Sequence, residues 1–322
     1  MPNIYSPRRA ARSAFLTIRG LRYHAHVWGD ASLATPGRPP LLLMHGWMDV
    51  GASYQFLVDA LAEADGVDRW IIAPDWRGFG LTDTPKADSY WFPDYIADLD
   101  ALLDALVPTD RFPQVDLCGH SLGGNVVMSY AGVRPQRIRK LINLEGFGLP
   151  RSKPEQAPKR LLTWLDELKS QPTLRSYATV GDVAARLIKN NPLLSADKAA
   201  WLAPHWAQPR PGQDADGNSN SNSNSQWHIL GDPAHKRVNP VLYQVPEILA
   251  TWQRITAPVL WAEGDRTDIA KWWGSRYPRA EFDERLAVVP QVQRVLLSPC
   301  GHMLHHDQPQ ALAEHVARFL AG

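Results

Sequence analysis

The chain has 322 residues, 44% hydrophobic and 21% charged, enough to bury a sizeable core and carry an inserted segment. Its net charge of +1, with Lys and Arg scattered, excludes the basic footprint of a protein that binds nucleic acid or an anionic membrane. No apolar run approaches the ~20 residues that span a bilayer. Residues 1–30 carry charges throughout and lack a secretory-type apolar core, and two cysteines, Cys118 and Cys300, make no disulfide framework. A cytoplasmic protein with reduced, buried thiols is expected.

In chain order, residues 14–28 predict two short strands separated by a glycine and close enough to form a hairpin. Leu41 to Met44 is a continuous apolar run, the pattern of a strand buried on both faces of a parallel sheet, and it ends at His45-Gly46-Trp47. A helix is expected over about 53–64. The next buried strand, 70–73, ends at Asp75-Trp76-Arg77-Gly78-Phe79-Gly80, and a helix follows over 95–107. Residues 115–118 predict a strand that stops at Gly119-His120-Ser121-Leu122-Gly123-Gly124, after which apolar residues recur at helical spacing. Another apolar strand, 138–144, ends at Glu145-Gly146.

Past Pro150 the pattern changes. Helical segments are expected at 160–168, 183–189, 196–202 and 246–254, with no convincing buried strand among them. Five of the thirteen tryptophans fall in this stretch; they suggest an apolar pocket, or, for most of them, simply the core of the stretch itself. Within it, 217–225 reads GNSNSNSNS, a polar repeat expected to be a mobile loop. Strand and helix alternation resumes with strands at 258–262 and 292–297 and helices near 280–286 and 309–320. The expected fold is α/β: a mostly parallel eight-stranded sheet covered by helices on both faces, formed by 1–149 and 256–322, with 150–255 as a helical cap inserted over it.

Ligands of open α/β sheets bind beyond the carboxyl ends of the strands. Those ends carry His45-Gly46-Trp47, Ser121, Asp265 with Asp268, and His302, so that Ser, acid and His occur in the order of a hydrolase triad. A Ser hydroxyl is a poor nucleophile until an imidazole removes its proton and a carboxylate holds that imidazole in one tautomer. Ser121, at the tip of a strand–turn–helix G-x-S-x-G, is the expected nucleophile and His302 the general base. The acid has three candidates: Asp268, far enough into its loop to reach back to the imidazole; Asp265; and Glu145, after the preceding strand. The backbone N–H groups of Trp47 and Leu122 are the expected oxyanion donors. His305, His306 and Asp307 invite a metal reading, but two adjacent histidines do not easily face one ion, so no metal and no cofactor is expected.

The segments HGW, DWRGFG, GHSLGG and GHMLHHDQP, read together, resemble the α/β-hydrolase superfamily over nearly the whole chain. The resemblance implies Ser121, Asp268 and His302 as nucleophile, acid and base, and the insertion as a cap forming one wall of the pocket. In that family the acid usually stands about three residues after the strand-end glycine, where this chain has Thr267, which keeps Asp265 in play. A Ser at the elbow resembles the esterase-like members rather than those carrying Asp there. The expected partner is a small apolar ester, cleaved through an acyl-enzyme. The alternatives are hydrolysis of a carbon–carbon bond in a diketone-like substrate, or a non-catalytic protein that binds a small ligand.

Overall fold

A computed structural model describes residues 4–66, 68–170, 172–210 and 225–322. The polar repeat lies outside the described residues, apart from Ser225. The elements follow the expected alternation: β1 (Arg12–Ile18), β2 (Leu21–Trp28), β3 (Leu41–Met44), α1 (Gln55–Asp65), β4 (Ile71–Pro74), α2 (Phe92–Leu106), β5 (Val115–His120), α3 (Leu122–Val133) and β6 (Ile138–Leu144). The inserted stretch holds α4 (Ala157–Leu168), β7 (Ser176–Tyr177), α5 (Val180–Asn190), α6 (Ala196–Trp206), β8 (Ala207–Arg210), β9 (Gln226–Ile229) and α7 (Val245–Trp252). The chain then continues with β10 (Val259–Gly264), α8 (Ala270–Trp273), α9 (Arg279–Leu286), β11 (Val292–Leu297), α10 (Leu304–Asp307) and α11 (Pro309–Ala321).

Eight strands make one sheet in the order β1-β2-β4-β3-β5-β6-β10-β11. The β1–β2 hairpin is antiparallel, as is its seam to β4, and every pair from β4 to β11 is parallel. The all-apolar β3 shows why. Its side chains alternate between faces: Leu42 and Met44 join the core under α2 and α3, while Leu41 and Leu43 join the core under α1 and α11. A strand sealed on both sides has no polar position to offer, hence the unbroken apolar run.

The inserted stretch departs from the helices-only expectation. Its helices stand close to where the sequence places them, but β7, β9 and β8 form a separate three-stranded antiparallel sheet. These strands are two to four residues long and mix buried, half-buried and exposed positions without a regular alternation, so backbone pairing rather than apolar periodicity defines them, and no pattern announces them. The stretch is tied to the main sheet by polar contacts: Trp206 Nε1 donates to Met48 O at 2.8 Å, Lys198 Nζ to His306 O at 2.8 Å, and Asn191 Nδ2 to Asp307 Oδ1 at 2.7 Å. At its end, Trp252 and Ile255 enter the same core as α2 and α3. Among the described residues no helix is long and apolar enough to cross a membrane.

Candidate active site

Ser121 stands between β5 and α3 with φ 53° and ψ −113°, a backbone conformation that side chains rarely adopt. The surroundings hold it there: Ser121 N donates to Leu144 O at 2.8 Å, and its carbonyl accepts the first bond of α3 from Asn125 N at 3.0 Å. The flanking glycines are steric necessities. A Cβ on Gly119 would come within 2.4 Å of Gly123 O, and one on Gly123 within 2.1 Å of Met44 O. Only bare backbone lets strand and helix close this tightly, which leaves the serine at an exposed, strained tip.

The loop after β3 closes against the same point. A Cβ on Gly46 would lie 3.2 Å from Ser121 Cβ, so the chain entering Trp47 runs beside the nucleophile. His45 holds this loop rather than reacting: Trp76 N donates to its Nε2 at 2.8 Å, which leaves the proton on Nδ1 for Gly46 O at 2.8 Å. Burial lowers its pKa, so the ring stays neutral. Leu122 opens α3, and a first-turn N–H has no partner within its helix.

His302 follows β11 and faces the cavity that Ser121 lines. Its backbone and its ring are both held. His120 Nε2 donates to the His302 carbonyl at 2.7 Å, Trp272 packs edge-on with ring centres 4.6 Å apart, and Nδ1 donates to a carboxyl oxygen at 2.6 Å. That oxygen belongs to Glu145. Asp268, the expected acid, and its fallback Asp265 do not meet the His302 ring; the contact falls to the third candidate, Glu145. Asp268 is exposed and accepts from Ala270 N at 2.9 Å, opening the short α8. Asp265 accepts from Ser298 Oγ at 2.6 Å and Cys300 N at 2.8 Å; these bonds hold its carboxyl below the usual carboxylate range and brace the turn before His302. Glu145 is buried at the end of β6 with φ 55°, and its second oxygen accepts from Gly264 N at 2.7 Å. A signal was present in the sequence: an acid in the apolar run between Leu144 and Phe147 must find a buried partner. Among the described residues no hydrogen bond closes between the Ser121 hydroxyl and the His302 ring, a contact that commonly tightens only around substrate.

Asp307, His305 and His306 part company. Asp307 accepts from Gly301 N at 2.8 Å and so buttresses the His302 loop. His305 and His306 are buried near Asp49, close enough in principle to share an ion, but Ser53 Oγ already links Asp49 (2.8 Å) to His305 (3.2 Å). Both cysteines are free and buried, with burial raising their thiol pKa values.

The cavity in front of Ser121 measures about 690 Å³. Trp47, Tyr90, Trp91, Phe92, Tyr95, Phe147, Trp272 and Trp273 line it, and no Lys or Arg does among the described residues. The five tryptophans of the inserted stretch are absent from this lining; Trp201, Trp206 and Trp227 pack in a core of the stretch and Trp252 in the core of the main sheet, as the alternative reading of them has it. From that stretch comes His235, stacked between Phe79 (3.8 Å) and Tyr90 (3.6 Å).

Residues 39–309 match the family described by the alpha/beta hydrolase fold. The chain belongs to this α/β-hydrolase family. Among its relatives, a "Serine hydrolase-like protein" of Danio rerio is 30% identical over 142 residues, 44% of this chain and 40% of that one. The "Cis-3-alkyl-4-alkyloxetan-2-one decarboxylase" of Shewanella oneidensis is 25% identical over 299 residues, covering 87% of this chain and 81% of that one. Among solved structures, a "Thioesterase Domain From Curacin Biosynthetic Pathway" superposes with a TM-score of 0.77 at 26% identity, over 96% of this α/β hydrolase and 99% of the domain.

Proposed function

We propose that this α/β hydrolase is a serine hydrolase that cleaves a small, largely apolar carboxylic ester through an acyl-enzyme on Ser121, with His302 as base and Glu145 as acid. The observation that carries the reading is the 2.6 Å contact of buried Glu145 with His302 Nδ1, on a ring facing the cavity of Ser121. Glu145 holds the proton on Nδ1, which leaves Nε2 free to accept the Ser121 proton as Oγ attacks the carbonyl carbon. The imidazolium then returns that proton to the departing alkoxide. The N–H groups of Trp47 and Leu122 receive the oxyanion, each such donor contributing about 3–4 kcal/mol. Water, deprotonated by the same His302, releases the acid.

The aromatic, cation-free lining supports an uncharged, apolar substrate, because a buried carboxylate without a cation partner is costly to desolvate. It therefore disfavours a carboxylate-bearing diketone, which would otherwise suit carbon–carbon hydrolysis by the same residues. The decarboxylase relative is named for a dialkyl cyclic ester and the structural neighbour for a thioester. A fluorophosphonate probe is expected to label Ser121, and short-chain nitrophenyl esters to be hydrolysed. Full esterase activity surviving in Ser121→Ala would end the proposal.

A further inference from the structure

On the cavity wall, Asn125 stands four residues after Ser121, on the first turn of α3. Side chains at this spacing lie about 5–6 Å apart at Cβ. The orientation of its amide is determined by what it meets. Gly148 N is a donor, 2.8 Å away, so the atom facing it is Oδ1 and the NH₂ group occupies the other branch. Among the described residues that NH₂ donates to nothing, nor is it one of the polar atoms sealed in protein without a partner, as Asn143 Nδ2 is. It opens on the cavity. Of the other polar groups on the wall, Tyr90 Oη donates to Asp232 at 2.6 Å, Tyr95 Oη pairs with His235 Nδ1 at 3.3 Å and both Glu145 oxygens accept, while His235 Nε2 is sealed in protein without a partner.

We propose that Asn125 is a specificity-determining residue whose Nδ2–H groups bind an uncharged acceptor oxygen of the substrate, an ether, ketone or hydroxyl a few bonds from the attacked carbonyl. The proposal rests on the ester-hydrolase reading and narrows its substrate class to oxygenated acyl chains. A plain alkyl chain that displaces water from Asn125 leaves two amide donors unpaired, whereas an oxygen at that depth replaces the lost hydrogen bond. The absence of Lys and Arg from the lining, with Glu145 on the same wall, argues for a neutral acceptor over a carboxylate.

The test uses two esters that differ by one oxygen in place of one methylene, nitrophenyl 3-methoxypropanoate and nitrophenyl pentanoate. Asn125→Asp keeps an oxygen for Gly148 N while removing the donors, and Asn125→Leu removes both. In each variant kcat/KM for the methoxy ester is expected to fall about five- to tenfold more than for the alkyl ester, the range of one neutral hydrogen bond. A ratio unchanged within twofold in both variants overturns the proposal. A binding readout keeps this separate from catalysis. In Ser121→Ala, methyl 3-methoxypropanoate is expected to raise Tm more than methyl pentanoate, and the difference to vanish when Asn125→Asp is added. If no ester is turned over but that difference is seen, the subsite stands and the hydrolase reading falls; equal Tm shifts sink the subsite.

Discussion

The carboxyl ends of β6 and β10 lie side by side in the sheet, and each carries acids, yet they meet opposite fates. Glu145, ending β6, is buried and bonds to His302 and Gly264, while Asp265 and Asp268, beyond β10, are exposed and occupied with their own loops. Past β10 the chain turns into α8, which carries Trp272 onto the His302 ring, while Glu145 stays covered at the end of β6. Glutamate also has one methylene more than aspartate, which gives it the reach from β6 to the ring. On the proposed reading, the acid is set by which strand end stays covered, not by its distance along the chain from a glycine.

That contrast can be broken or sharpened by substitution. Glu145→Gln keeps the shape but no longer anchors the imidazole tautomer, and kcat on a nitrophenyl ester is expected to fall about 10³- to 10⁴-fold. Wild-type kcat in this variant would return the acid's role to the β10 side. Glu145→Asp, one methylene shorter, is expected to recover part of that loss; equal activity of the Gln and Asp variants would deny that reach matters.

Acid should unfold the protein through its neutral histidines. Burial lowers His235 to about 3 and His26 to about 4, against an ordinary 6.5. Above pH 6.5 both are neutral in either state and their full contribution is present. Between pH 6.5 and those lower values the unfolded chain takes up protons that the folded one refuses, so stability falls by up to about 1.4 kcal/mol per pH unit for each. Urea midpoints from pH 7.5 to 4.5 read this directly, and replacing His235 by Gln should flatten the slope.

Asp265→Asn weakens the bracing of the Ser298–Cys300 turn, so a lower Tm with a smaller loss of kcat than in Glu145→Gln is expected. The smallest effect belongs to Asp268→Asn, whose activity should stay within about twofold of wild type, since its single contact opens a four-residue helix. A drop of a hundredfold there would reverse the comparison between the two strand ends.

The inserted stretch repeats the lesson. Its tryptophans suggested an aromatic pocket wall from composition, but Trp206 is spent joining the stretch to Met48 O and Trp252 packs in the core beside α3. Besides Trp47 and Phe147 at strand ends, the aromatic lining comes from 90–95 and from the 272–273 pair, residues whose pattern in the chain is that of an ordinary loop and helix end.

What this sequence determines by itself is whatever depends on near neighbours in the chain. Apolar runs such as 41–44, bounded by turn residues, read as doubly buried strands, and Gly119 to Gly123, set between a strand and a helix pattern, reads as a tight turn with Ser121 at the tip. The position of His302 after the last strand follows from the same alternation. Which acid meets that imidazole, which aromatics face the serine and whether the insertion forms a sheet were decided only in the folded chain. These depend on side-chain reach and on which strand end remains covered, and such distances are set by packing between segments more than a hundred residues apart, as for Glu145 and His302.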